Sequence, residues 1–227
     1  MSKFSVKQSE GGADFKPLEA GTYVARCFGV VVTGTHDAEY QGRKYKRSLV
    51  RLQWELPDEM EDFGQGKLEP RVIGKKYTNS LGGGSKPSAL RGHLEAWRGR
   101  PFTPEELKGF ELTNLIGVPC ILTVTNEAKQ DGSGNYAAVA AVGKLMKGQT
   151  CPLAITKPVL YHVDELSEGS FATLPEWIQK EIQGSDEWKR KVAMAPNPSQ
   201  PAQTATEYAD DDDDDDDDGP PQDDIPF

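Results

Sequence analysis

Nine consecutive aspartates, Asp210–Asp218, set the outer limit on what this chain can fold, because like charges repel along such a run and nothing apolar within it can be buried. The limit extends beyond the run itself. From Val192 to Phe227 there is no Lys or Arg, and 12 acidic side chains fall there. The body up to Lys191 keeps 24 acidic residues against 26 basic ones, so the net charge of −10 belongs to the tail. An isoelectric point near 4.9 ordinarily argues against a nucleic-acid partner. A charge partitioned in this way does not, since the body is free to carry a basic face.

The chain therefore reads as four parts. Residues 1–20 are polar and Gly-containing and read as an arm. Residues 21–192 are the foldable unit, with a C-terminal extension expected to pack on it. Residues 193–209, rich in Pro, Gln, Ala, Thr and Asn, bury too little apolar surface to offset chain entropy and read as a flexible linker. Residues 210–227 are the acidic tail. No stretch is long and apolar enough to span a bilayer, and residues 1–19 lack the apolar core of a signal peptide. The expectation is a soluble protein of the cytoplasm. Cys27, Cys120 and Cys151 are odd in number and widely spaced, which predicts neither disulfides nor a zinc site but small buried side chains.

Within the body, Gly21–Thr33 is rich in β-branched and aromatic residues, with Gly29 placed to bend a long first strand. The second strand is the clearest, because Ser48, Val50, Leu52, Trp54 and Leu56 alternate with Leu49, Arg51, Gln53 and Glu55. Trp54 is in phase with Val50 and Leu52 and belongs to the core. A third strand spans about residues 71–80 and ends at Gly82-Gly83-Gly84. The period then changes. Leu90, Leu94 and Trp97 fall at helical spacing, with Ser85 or Ser88 as caps and Gly99 past the end. Thr103-Pro104-Glu105-Glu106 has the form of a capping box and predicts a second short helix. Residues 118–126 and 136–145 return to strands, joined at Asp131-Gly132-Ser133-Gly134. Short helices are predicted near 175–182 and 186–192.

Strand, strand, strand, helix, strand, strand is the order of a five-stranded OB-fold barrel with inserted helices between strands 3 and 4, a fold that commonly binds oligonucleotides. Other five-stranded barrels or an open sheet share it.

Two constellations carry chemistry. Between the first two strands, Tyr40, Arg43, Lys44, Tyr45, Lys46 and Arg47 interleave cations with aromatics, and Arg51 follows on the polar face of strand two. Cations track phosphates while rings stack on bases, so this segment predicts a loop that binds single-stranded nucleic acid. Lys75, Lys76 and Tyr77 on the third strand and Lys129 near the last hairpin extend the same face, subject to a bulge at Gly74 that would change which of them point outward. A solvated hairpin is the plainer alternative.

The second constellation is Asp223, Asp224, Ile225, Pro226 and Phe227. A tail that only solubilises has no use for Ile and Phe. A docking peptide does: Phe227 fills an apolar pocket, Pro226 lowers the ordering cost, and the aspartates steer toward a basic rim. This ending resembles the acidic tip of bacterial single-stranded DNA-binding proteins, with Gln222 in place of the first aspartate of the family's Asp-Asp-Asp-Ile-Pro-Phe. The body is more similar to the divergent versions encoded by tailed phages. The resemblance implies binding and protection of single-stranded DNA in phage replication, recombination and repair, in the host cytoplasm. It also implies recruitment of replication and recombination proteins through the tip, and allows a homo-oligomer.

Catalysis is not expected. Glu55, Asp58, Glu59, Glu61 and Asp62 crowd one loop rather than converging from separate elements, His36, His93 and His162 are far apart, and no phosphate loop or dinucleotide fingerprint occurs. No metal or cofactor is implied. The competing function class is a non-enzymatic adaptor whose acidic tail mimics nucleic acid, and an RNA-binding OB-fold protein stays open as well.

Overall fold

The computed structural model describes residues 17–194 other than 65, 84, 85, 130, 131, 133, 166 and 167. The N-terminal arm before Pro17, the linker from residue 195 onward, the aspartate run and the terminal Asp223–Phe227 lie outside the described residues, while Ala193 and Met194, expected in the linker, belong to the last helix. The fold is mainly β.

Two long strands dominate, β1 (Gly21–Tyr40) and β2 (Arg43–Asp62), each continuing well past the alternation that announces it. The segment expected as a cationic loop is instead the far end of their hairpin. Gln41 and Gly42 alone make the turn, with φ of 50° and 77°, the left-handed pair of a two-residue hairpin. Beyond the apolar residues the strands stay paired because opposite charges face each other, Asp37 against Lys46 and Glu39 against Lys44. β1 shifts register between Cys27 and Gly29, beside the expected bend, and again between Val32 and Gly34.

β3 (Leu68–Thr78) pairs with β2 in unbroken register through Gln53 opposite Gly74, so the bulge expected at Gly74 is absent; it lies between Leu56 and Met60. A minimal ladder of β4 (Gly82–Gly83) and β5 (Lys86–Pro87) leads into α1 (Ala89–Arg98). Ser88 caps α1 by accepting from the Arg91 N–H at 3.1 Å, and Gly99 closes it with φ 70°. The Thr103 box forms reciprocally, Glu106 N to Thr103 Oγ1 and Thr103 N to Glu106 Oε2. It starts only a 3₁₀ turn, Glu106–Lys108, because extended Gly109 follows. β6 (Pro119–Ala128) and β7 (Asn135–Gly143) form the last hairpin.

The hydrogen-bonded order is β3-β2-β1-β6-β7, open between β3 and β7, with β8 (Val159–His162) added parallel to β1 at Gly29–Val32. One face of this sheet closes over α1. Trp54, Leu52, Leu56, Leu94 and Leu122 are essentially inaccessible there, and the rings of Trp54 and Trp97 lie 6.0 Å apart. The opposite face of β1 carries a second, smaller core of Val31, Tyr161, Val163, Leu174, Ile178 and Ile182. It is built by β8 and α3 (Glu176–Gln183), which follows α2 (Glu168–Ala172); α4 (Asp186–Met194) packs beside α3 and β1.

The strap joining β7 to β8 is fastened at both sides. Arg26 donates to the carbonyls of Cys151 and Pro152, and the carboxylate of fully buried Glu55 accepts from the N–H groups of Ile155 and Thr156, at 3.0 and 2.7 Å. Glu55 is thus a structural anchor, buried despite its polar phase, and with Asp58, Glu59, Glu61 and Asp62 it lies on β2 rather than in the expected loop.

Candidate nucleic-acid interface

Residues directly opposite each other in an antiparallel pair share a face. Applied to the β1–β2 ribbon, this separates the cationic cluster into two populations. Tyr40 and Arg43, Ala38 and Tyr45, His36 and Arg47 lie on one face; Glu39 and Lys44, Asp37 and Lys46 lie on the other. The first face carries no carboxylate. Tyr40 and Tyr45 are 67 % and 45 % exposed, and Arg43 and Arg47 make no ion pair among the described residues. On the second face Lys46 sits between Asp37 at 2.8 Å and Asp186 of α4 at 2.9 Å. The Asp37 hydrogen bond, then that of Asp186, holds the Lys46 ammonium above its ordinary range, and Lys46 in turn lowers Asp37. Lys46 is committed to the fold.

β2 is unbulged from Arg43 to Leu56, so Arg43, Tyr45, Arg47, Leu49, Arg51, Gln53 and Glu55 stay on one side. Arg51 is on this side as expected, yet it is not free. Its Nε donates to Glu181 of α3 at 2.6 Å, and its guanidinium lies 4.5 Å over the Trp177 ring. Lys76, opposite Arg51 on β3, has its Nζ 3.6 Å from the same carboxylate.

The other β3 residues face the core side. Tyr77 is 3 % exposed and its hydroxyl pairs with His93 Nδ1 at 2.8 Å, which removes it from any stacking surface. The Lys75 ammonium donates to the Val139 carbonyl of β7, across the open side of the sheet. The regular register through Gly74 decides this: with no bulge, Lys75 and Tyr77 keep the phase of buried Ile73.

Lys129 is exposed in the β6–β7 hairpin, where its N–H donates to Gly134 O at 2.8 Å. It lines a groove of about 490 Å³ together with Arg51, Gln53, Asn135, Tyr136 and Trp177. Trp177 and Tyr136 are 52 % and 44 % exposed. Gly74 forms part of the floor, and a Cβ there would come within 3.3 Å of Leu52 O. Two further hollows of about 420 Å³ include carboxylates in their linings, Glu111 and Glu165 beside β8 in one, and Asp186 and Glu187 together with Lys189 and Arg190 beside α4 in the other. No carboxylate lines the Trp177 groove among the described residues.

Trp177 and Tyr136 did not enter the candidate set read from the sequence. Trp177 had a signal: Ile178 and Ile182 mark the buried stripe of α3, and the tryptophan falls outside it. Tyr136 had none beyond its place beside a hairpin. The tip residues Asp223–Phe227 lie outside the described residues. Among the described residues no helix is long and apolar enough to cross a membrane. Comparison of the chain with models of known protein families, with curated proteins and with solved structures gives no match.

Proposed function

We propose that this chain binds single-stranded DNA without sequence preference, on an OB-type barrel, and protects it during phage DNA replication, recombination and repair. The observation that carries the reading is the carboxylate-free ribbon face with Tyr40, Arg43, Tyr45 and Arg47, where two exposed rings alternate with two guanidinium groups that make no ion pair among the described residues. Rings and cations in alternation suit a strand whose bases are unstacked and whose phosphates run alongside. A duplex offers no base faces to such rings.

The barrel reading is supported by the strand order, with a helix between the third and fourth long strands, and by the Lys75 contact that links β3 to β7 where an OB barrel closes. The acidic tip is the partner-docking element of the proposal, recruiting replication and recombination proteins in the host cytoplasm.

The test is a mobility shift with oligo-dT at low and moderate salt. Binding should weaken steeply with salt, and replacing Arg43 and Arg47 by Ala should flatten the dependence of log K on log salt by about 0.7 for each lost phosphate contact. Failure to retard oligo-dT at low salt ends the proposal. Preference for an RNA strand of equal length in direct competition would move the reading to RNA.

A further inference from the structure

We infer that the groove beneath α3 is a base-stacking site, in which an unpaired nucleobase lies against Trp177, with Tyr136 as the second aromatic wall. The inference rests on the single-strand reading above and adds a site to it that the ribbon does not contain.

Three observations point to this occupant. The first is charge: of the three hollows it alone lacks a lining carboxylate among the described residues, while Arg51 and Lys129 line it. Arg51 is already paired with Glu181, so among the described residues Lys129 is the lining cation left to meet a phosphodiester. The second is the exposed aromatic surface. A tryptophan on an amphipathic helix usually faces the core, as Trp97 does on α1 at 4 % exposure, yet Trp177 keeps 52 % of its surface open. Arg51 lies over its ring, and the exposure leaves surface for one more planar group. The third is the polar lining. Gln53 and Asn135 supply amides that both donate and accept, so they can meet the edge of any base. The groove volume is in the range of small-ligand sites.

The groove is also in line with the ribbon. Arg47 and Gln53 share one side of β2, and six residue steps along the strand separate them by about 20 Å. A single strand held at Tyr45 and Arg47 can therefore continue toward Trp177.

The geometry explains why the C-terminal extension belongs to the site. α3 places Trp177 over β2, and the Arg51–Glu181 ion pair, with side chains 17 % and 14 % exposed, holds the helix there.

The experiment is tryptophan fluorescence of the full chain titrated with an oligo-dT strand of about 16 nucleotides, alongside a mobility shift. Trp54 and Trp97 are buried and Trp188 is stacked on Phe171, so Trp177 is the ring open to a base. Saturating oligo-dT should quench the emission. The quench should disappear in Trp177→Phe, which keeps a stacking ring and should bind within about threefold of the parent. Trp177→Ala should bind roughly tenfold or more weakly. Retarded oligo-dT with unchanged Trp177 emission and unchanged affinity of Trp177→Ala overturns the stacking site while leaving the proposed function standing. An absence of any oligo-dT binding overturns the function first. If deletion of Tyr208–Phe227 alone shifts the emission and oligo-dT then adds nothing, the groove is the seat of the chain's own tail and the inference falls.

Discussion

His93 shows how burial governs the ionisable side chains of this core. Its imidazole is held below the usual 6.5, first because burial penalises the cation and then because Lys75 adds positive potential; a hydrogen bond with the Ala140 backbone acts the other way. The Tyr77 hydroxyl against Nδ1 completes the arrangement. With the folded value below the unfolded one, the unfolded chain takes up the extra proton, so stability is full above about pH 6.5 and is lost as pH falls through the folded value. Urea midpoints should therefore drop between pH 7 and pH 5, and His93→Gln should remove that part of the slope. An unchanged slope in the variant would show that the imidazole is not the titrating group. Burial similarly pushes the Cys27 thiol up to about 12, keeping it protonated and unreactive, with Cys120 raised further and by the same main cause. Cys27 and Cys120 are core residues as their spacing suggested, whereas Cys151 is only half-buried.

At the scale of elements, the notable problem is the edge of β1. β6 covers it only from Gly21 to Arg26, and β8 only from Gly29 to Val32. Farther along, Glu187 of α4 accepts from the Thr35 N–H and from the Thr35 hydroxyl, both at 2.7 Å, and so satisfies the strand where no neighbour does. Burial pushes the Glu187 carboxyl up, but the two Thr35 hydrogen bonds, with its own backbone N–H and the charge of Arg190, together hold it below its ordinary value. Glu187→Ala should destabilise by about 1–3 kcal/mol by leaving the amide unpaired, with faster hydrogen exchange at Thr35 as the local signature. Protection unchanged at Thr35 would mean that water replaces the carboxylate at no cost. Legibility differed sharply among the elements. α1 was readable from Ser88, Leu90, Leu94, Trp97 and Gly99 because caps and stripe are local. The outer ribbon was not, since its pairing comes from Asp37, Glu39, Lys44 and Lys46, polar residues that look the same in a loop. β8 was also missed: a four-residue strand that pairs in parallel with β1 has no local pattern of its own.

On the scale of the whole molecule the partition of charge is the governing fact. A tail with 12 acidic groups follows a weakly cationic body on the same chain. Under the proposed function, an anionic segment tethered to the body would compete with phosphates for the ribbon. Deleting Tyr208–Phe227 should tighten oligo-dT binding at low salt, with a gain that shrinks as salt rises and screening takes over. Equal affinities of full and truncated chains at low salt would exclude competition by the tail.

Local sequence alone determined the strand alternation of β2, the capped helix α1, the separation of a foldable body from an acidic tail and the presence of a cation–aromatic cluster. Each depends on neighbours a few residues apart. Which cations remain free was decided only by tertiary structure. Asp186, Glu181 and Glu187 reach Lys46, Arg51 and Thr35 from 140, 130 and 152 residues away. The same packing buried Tyr77 and left Trp177 open, because the partner that neutralises a charge or covers a ring comes from wherever the chain folds back, and no spacing along the sequence records that distance.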